Sequence, residues 1–144
     1  MIGVMAIGAL ALVLSGCELI TPGPAKDGPA GLPSTFIQVT PTSADFVAIQ
    51  SMGGVDTQVF AVRGTFGIVP AGPLTVAIDK ESGAGDFTID GDNCTGKFVD
   101  EHGACDIFVK YANATGTGTA TAELVVAGAW GGTVRATLTA IALP

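Results

Sequence analysis

Few side chains in this chain are equipped for chemistry. His102 is the only histidine. No nucleophile or orienting acid stands at a catalytic spacing from it, and no Gly-x-Ser-x-Gly turn holds a reactive serine. A lone loop histidine of this kind is ordinarily just solvated. The acidic run Asp90-Gly91-Asp92-Asn93 opens like a calcium loop, and Glu101 falls at its twelfth place. Cys94 stands at the fifth position and Thr95 at the sixth, where a glycine makes the turn, so the EF-hand pattern fails. A looser oxygen cage from Asp90, Asp92, Asn93, Asp100 and Glu101 is the one candidate calcium site, set against a plain solvated acidic hairpin. No other metal and no cofactor is implied. The remaining reactive groups are three cysteines, Cys17, Cys94 and Cys105.

Cys17 closes an apolar run that begins at Ile2 and ends Leu14-Ser15-Gly16. At about 16 residues the run is short for a membrane span, which takes roughly 20. A Pro/Gly-rich stretch follows at once, which suits a processed leader better than a buried core helix. The small residues before the cysteine resemble the lipobox of a bacterial lipoprotein signal peptide. The resemblance implies loss of residues 1–16, a lipid on the Cys17 thiol, and an acyl group such as palmitate on the new amino terminus. One departure is that Met1-Ile2-Gly3 carries no Lys or Arg, where such leaders usually do. A plain secretory signal is the competing reading. In either case Cys94 and Cys105 are left as an even pair in an exported protein, for which a disulfide is the default. A zinc site would need two more ligands, and His102 is the only histidine available. Closing so short a loop contributes roughly 2–3 kcal/mol.

Composition narrows the partners. Lys and Arg number 6 against 13 Asp and Glu, a net charge of -7. That balance excludes nucleic acid, whose phosphates need clustered Lys and Arg. It also excludes electrostatic adhesion to anionic lipid, so any membrane link must be covalent. Without the leader about 128 residues remain, enough for one domain with a core. Their richness in Thr, Val, Ala and Gly favours strands and turns.

The elements that must hold these groups are legible in the periodicity. Glu18 to Ser34 reads as a tether, because Pro22, Pro24, Pro29 and Pro33 with interleaved glycines forbid a helix or central strand. Extended, it reaches roughly 50 Å. From Phe36 the period becomes two. Alternating runs are expected over 36–40, 45–49, 55–63, 74–79, 87–89, 106–111, 119–126 and 133–142, each with one apolar and one mostly polar face. Turn residues separate them at near-regular intervals. The expected fold is all-β, an immunoglobulin-like sandwich of two antiparallel sheets, about seven strands, over residues 35–144. The domain plan is therefore a leader at 1–16, a lipidated cysteine and tether at 17–34, and the sandwich.

The second half reads Asp86-Phe87-Thr88-Ile89, Asn93-Cys94-Thr95-Gly96, then Gly103-Ala104-Cys105-Asp106-Ile107-Phe108-Val109-Lys110-Tyr111, and it closes with a Thr/Ala strand and Val134 to Ala142. Pro41-Thr42-Ser43-Ala44-Asp45-Phe46 opens the first half. Together these resemble the choice-of-anchor D family of bacterial immunoglobulin-like domains, relatives of the ASH domains. Two positions depart: Val47 stands where the family usually has glycine, and Arg63-Gly64 where it usually has an Asn-containing turn. The resemblance spans residues 36–142. It implies a seven-stranded sandwich, a Cys94–Cys105 bridge and a non-enzymatic module.

If the strands alternate up and down, the connections 63–72, 91–104 and 127–132 share one end of the sandwich. Phe66, Ile68 and Val69 lie in the first and Trp130 in the last, making this end the candidate interaction face. Trp130 can instead fold back as a lid. The expected function is a lipid-anchored binding or scaffolding module of a bacterial envelope, with no enzymatic activity. Its partner would be an envelope protein or a glycan. Glu18, rather than Asp, follows Cys17, which points to the outer membrane. An accessory subunit that adds a strand to a larger assembly is the alternative. A small secreted hydrolase is a third reading that no sequence feature requests.

Overall fold

The structure is a computed structural model that describes residues 28–114 and 116–144. The expected leader, Cys17 and residues 18–27 of the tether lie outside the described residues, as does Thr115. Among the described residues eight strands follow one another: β1 (Phe36–Thr40), β2 (Ser43–Ile49), β3 (Val55–Phe66), β4 (Leu74–Gly83), β5 (Asp86–Asp92), β6 (Ala104–Ala112), β7 (Gly118–Gly128) and β8 (Gly132–Leu143). The helical turns among the described residues are two three-residue pieces, Pro29–Gly31 and Gln50–Met52.

The strands form two four-stranded sheets, ordered β1-β3-β6-β5 and β2-β8-β7-β4. Every ladder is antiparallel except one. β2 runs parallel to β8, with Ser43 opposite Thr137 and Ile49 opposite Leu143. An all-antiparallel sandwich was the expectation, and the first strand is the reason it fails. Pro41 has no N–H to continue the β1 ladder, and two residues later the chain has crossed to the other sheet. β1 and β2 are thus two halves of one opening strand, and counting them once leaves seven. This arrangement, with the opening strand shared between sheets and its second half parallel to the last strand, is that of an immunoglobulin-like sandwich.

Alternation decides which side chains enter the core. In β3, Phe60 and Val62 are buried while Val59 and Arg63 face water. In β6, Cys105, Ile107, Val109 and Tyr111 are buried. The two sheets divide the volume unequally. β7 and β8 contribute mostly alanine, at Ala120, Ala122, Ala136, Ala140 and Ala142, with Leu124, Val126 and Leu138. Small residues on one sheet leave room for rings on the other, so the layers interdigitate. Phe87 on β5 and Tyr111 on β6 occupy that room with ring centroids 4.9 Å apart, and Phe46 from β2, on the alanine-rich sheet itself, packs edge-on against Phe87 at 5.4 Å. The Tyr111 hydroxyl donates to the Ala84 carbonyl, which satisfies its one polar atom inside the core. The Cys94–Cys105 disulfide is present and joins the β5–β6 connection to β6.

Candidate functional site

Three connections meet at one end of the sandwich: residues 67–73 between β3 and β4, 93–103 between β5 and β6, and 129–131 between β7 and β8. Buried Ala71 is their hub. Its N–H donates to the Val99 carbonyl (2.8 Å), and its own carbonyl accepts from Trp130 (3.0 Å) and Gly131 (2.9 Å). Leu74 donates to the Lys97 carbonyl (2.9 Å), and Gly96 returns a bond to the Leu74 carbonyl (2.8 Å). The disulfide then fixes residues 93–103 to the sheet. Main-chain bonding of this kind makes the loop end a fixed surface rather than a set of free loops.

A fourth segment completes this end. Residues 28–34, expected to be the last part of a tether, pack against it. Thr35 donates from both its N–H and its hydroxyl to the Val69 carbonyl (2.8 Å each). Ile68 and Val69 donate to the Pro33 carbonyl (3.0 and 3.3 Å), and the Ser34 hydroxyl donates to the Trp130 carbonyl (2.6 Å). Gly67 makes this closeness possible. Its φ is +153°, and a Cβ there would lie 2.3 Å from the backbone N and Cα of Thr35.

The four candidate interaction residues fall on this end in different ways. Phe66 is the last residue of β3, opposite Phe36, rather than a loop residue. It is 67% exposed and Ile68 is 70% exposed, whereas Val69 is half-buried against Gly28. Trp130 is also half-buried. Its ring lies across Gly72, where an added Cβ would come within 2.7 Å, and 6.2 Å from the Phe98 ring. Two further members went unremarked in the sequence, Phe98 (59% exposed) and Leu32 (42%). An apolar ring inside the polar turn Thr95-Gly96-Lys97-Phe98 was the available signal. Of these, Phe98 meets the Trp130 ring and Leu32 lies two residues before Ser34.

The acidic candidates do not assemble. Asp90 pairs with Lys110 on the outer face of its sheet (2.8 Å). Asp92 turns back on its own loop and accepts from the Cys94 N–H (2.7 Å), the Thr95 N–H (3.0 Å) and the Thr95 hydroxyl. Burial pushes the Asp92 carboxyl up, but these three donations outweigh it and hold the group below its ordinary value. Asp100 accepts from the His102 N–H (3.1 Å), and Glu101 is exposed. Among the described residues no three His, Cys, Asp or Glu side chains converge as metal ligands. The oxygen cage is therefore withdrawn: local Asx-type turns use the carboxylates where a cation would need them. His102 sits exposed in the same turn.

No protein-family model matches the chain, and no curated protein matches it in sequence. Solved structures do resemble it in shape. A family 123 glycoside hydrolase from Clostridium perfringens aligns over 74% of this chain and 27% of its own, at TM-score 0.52 and 9% identity. The chain therefore spans about a quarter of that enzyme. An ASH/PapD-like domain of human CEP192 aligns over 98% of both chains at TM-score 0.45 and 10% identity. WR4, an MSP family member of C. elegans, aligns over 75% of this chain and 98% of its own at TM-score 0.41 and 10% identity. At 9% identity the likeness to the hydrolase bears on fold alone. Fold and sheet order together define the class: an immunoglobulin-like β-sandwich with one disulfide and a fixed, partly apolar loop end.

Proposed function

We propose that this chain is a lipid-anchored module of a bacterial envelope, at the outer membrane, that binds or scaffolds through its loop end and performs no catalysis. One observation carries the reading. Residues 28–35 are locked onto the loop end, so a lipid on Cys17 would hold the sandwich by one defined end, with ten residues between it and the first fixed residue. The oxidised cysteine pair suits an exported protein. The strand alternation and paired cysteines support kinship with the choice-of-anchor D domains.

Strand addition, the alternative mode, is less well supported. Each outer strand is blunted in a way that hinders pairing. β1 has five residues and ends at Pro41. The Val47 N–H on β2 is capped by the Asp56 carboxylate (2.9 Å). β4 is bulged at Lys80, whose φ is +53°, and β5 shifts register at Ile89/Gly91. Glu81 on β4 accepts from the Phe87 N–H on β5.

Mass spectrometry of the native amino-terminal peptide, with fractionation of a Cys17→Ser variant, tests the anchor. The expected result is a diacylglycerol thioether on Cys17 and release of the variant into the soluble fraction. An unmodified Cys17 behind an intact Met1 overturns it. His102→Ala is expected to leave the fold and stability of the protein unchanged.

A further inference from the structure

We infer that the partner of the loop end is the bilayer that carries the anchor: Leu32, Phe66, Ile68 and Phe98 seat in its interfacial layer and hold the sandwich upright on the lipid. The inference rests on the anchor reading above. Ten residues separate Cys17 from Gly28, a reach of at most about 40 Å. Gly28 is itself buried against Val69, so the amino-terminal side of the domain is fixed at the loop end. An anchor on so short a leash keeps this end at high effective concentration beside the lipid, where a patch too small to bind from solution engages.

The patch has the required chemistry. Its side chains are aliphatic and aromatic, and they project from main chain that is already hydrogen-bonded, so seating them orders little further structure. Trp130 stands between Ser34 and Phe98, where an amphipathic ring favours the boundary of water and acyl chain. Lys97, Asp100 and Glu101 are the charges on the neighbouring connection, and their mixed sign selects no anionic headgroup. The fitting surface is therefore zwitterionic, and contact is through apolar burial.

Trp130 is the only tryptophan, so it reports on this end alone. The lipidated protein is reconstituted in phosphatidylcholine vesicles with and without acyl-chain bromines, and Trp130 emission and its quenching by iodide are measured. Seating predicts at least a twofold loss of emission in brominated vesicles and shielding from iodide. The double variant Phe66→Ser/Ile68→Ser is expected to lose most of the bromine effect while keeping its lipid and its thermal transition. Val59→Ser/Phe108→Ser, on the outer face of the first sheet, is expected to keep it. Equal emission in both vesicles with Trp130 open to iodide overturns the inference. So does shielding without bromine quenching: dependence on protein density would assign the face to a second copy, and independence of it to residues 18–27. The mass of the amino-terminal peptide separates these failures from failure of the anchor itself. A Cys17 without lipid overturns both.

Discussion

The hydroxyl of Ser34 and the carbonyl of Trp130 are 96 positions apart in the chain and 2.6 Å apart in space. This bond ties the segment before the first strand to the turn between the last two. It joins a buried residue to a half-buried turn at the loop end, so it reports on whether that end is one unit.

Ser34→Ala removes the donor and leaves the Trp130 carbonyl short of a partner in a partly buried place. The expected loss is about 1–2 kcal/mol. Urea denaturation followed by Trp130 fluorescence measures it, and faster amide exchange at Thr35 and Ile68 is the local signature.

Gly67→Ala tests the same contact from the other side. The added methyl collides with backbone atoms of Ser34 and Thr35, which have no rotamer by which to escape. Either the segment detaches or the whole end shifts, at a cost of about 2 kcal/mol or more. An unchanged urea midpoint would mean that residues 28–35 do not rest there in solution.

Reduction of the disulfide, or its replacement by Cys94→Ala/Cys105→Ala, should cost about 3 kcal/mol by loop entropy, since the sulfurs close a loop of sequence separation 11. The loss should appear as a lower urea midpoint in reductant. Thermal unfolding should remain cooperative, because the main-chain bonds of Ala71 do not depend on the sulfurs.

Acid should loosen the loop end through Asp92. Its folded value lies below its unfolded one, so its stabilisation is complete above about pH 4 and is lost as pH falls through the folded value. Asp92→Asn is expected to flatten that acid limb. Glu123 is also held low, first by the hydrogen bond from Lys80 and then by Arg135. It lies on the solvent face, and salt should erase its share. Urea midpoints between pH 2 and pH 6, at low and high salt, separate the two.

Much of the sandwich was readable because alternation is a local property. Phe60 and Val62 are hidden and Val59 and Arg63 exposed for the same reason that they alternate in the chain. The direction of a neighbour is not local: Phe46 would alternate identically against a parallel or antiparallel β8, so the β2–β8 pairing left no trace in the pattern. The docking of residues 28–34 was hidden for a different reason. It uses carbonyls, amides and two hydroxyls, whereas proline and glycine content signals only what a segment cannot form. The acidic run misled because closeness in sequence is not convergence. β5 turns Asp90 outward to Lys110, and the following turn claims Asp92.

The pairing of Ser43–Ile49 with Thr137–Leu143 also sets how the molecule resists tension. Drawn from the amino-terminal side against the carboxy-terminal side, the two strands slide past each other. All seven pairs share the load at once, and none can be unzipped singly. The parallel pairing therefore places the two strands in shear under such a load, and failure is governed by the rate of their rupture.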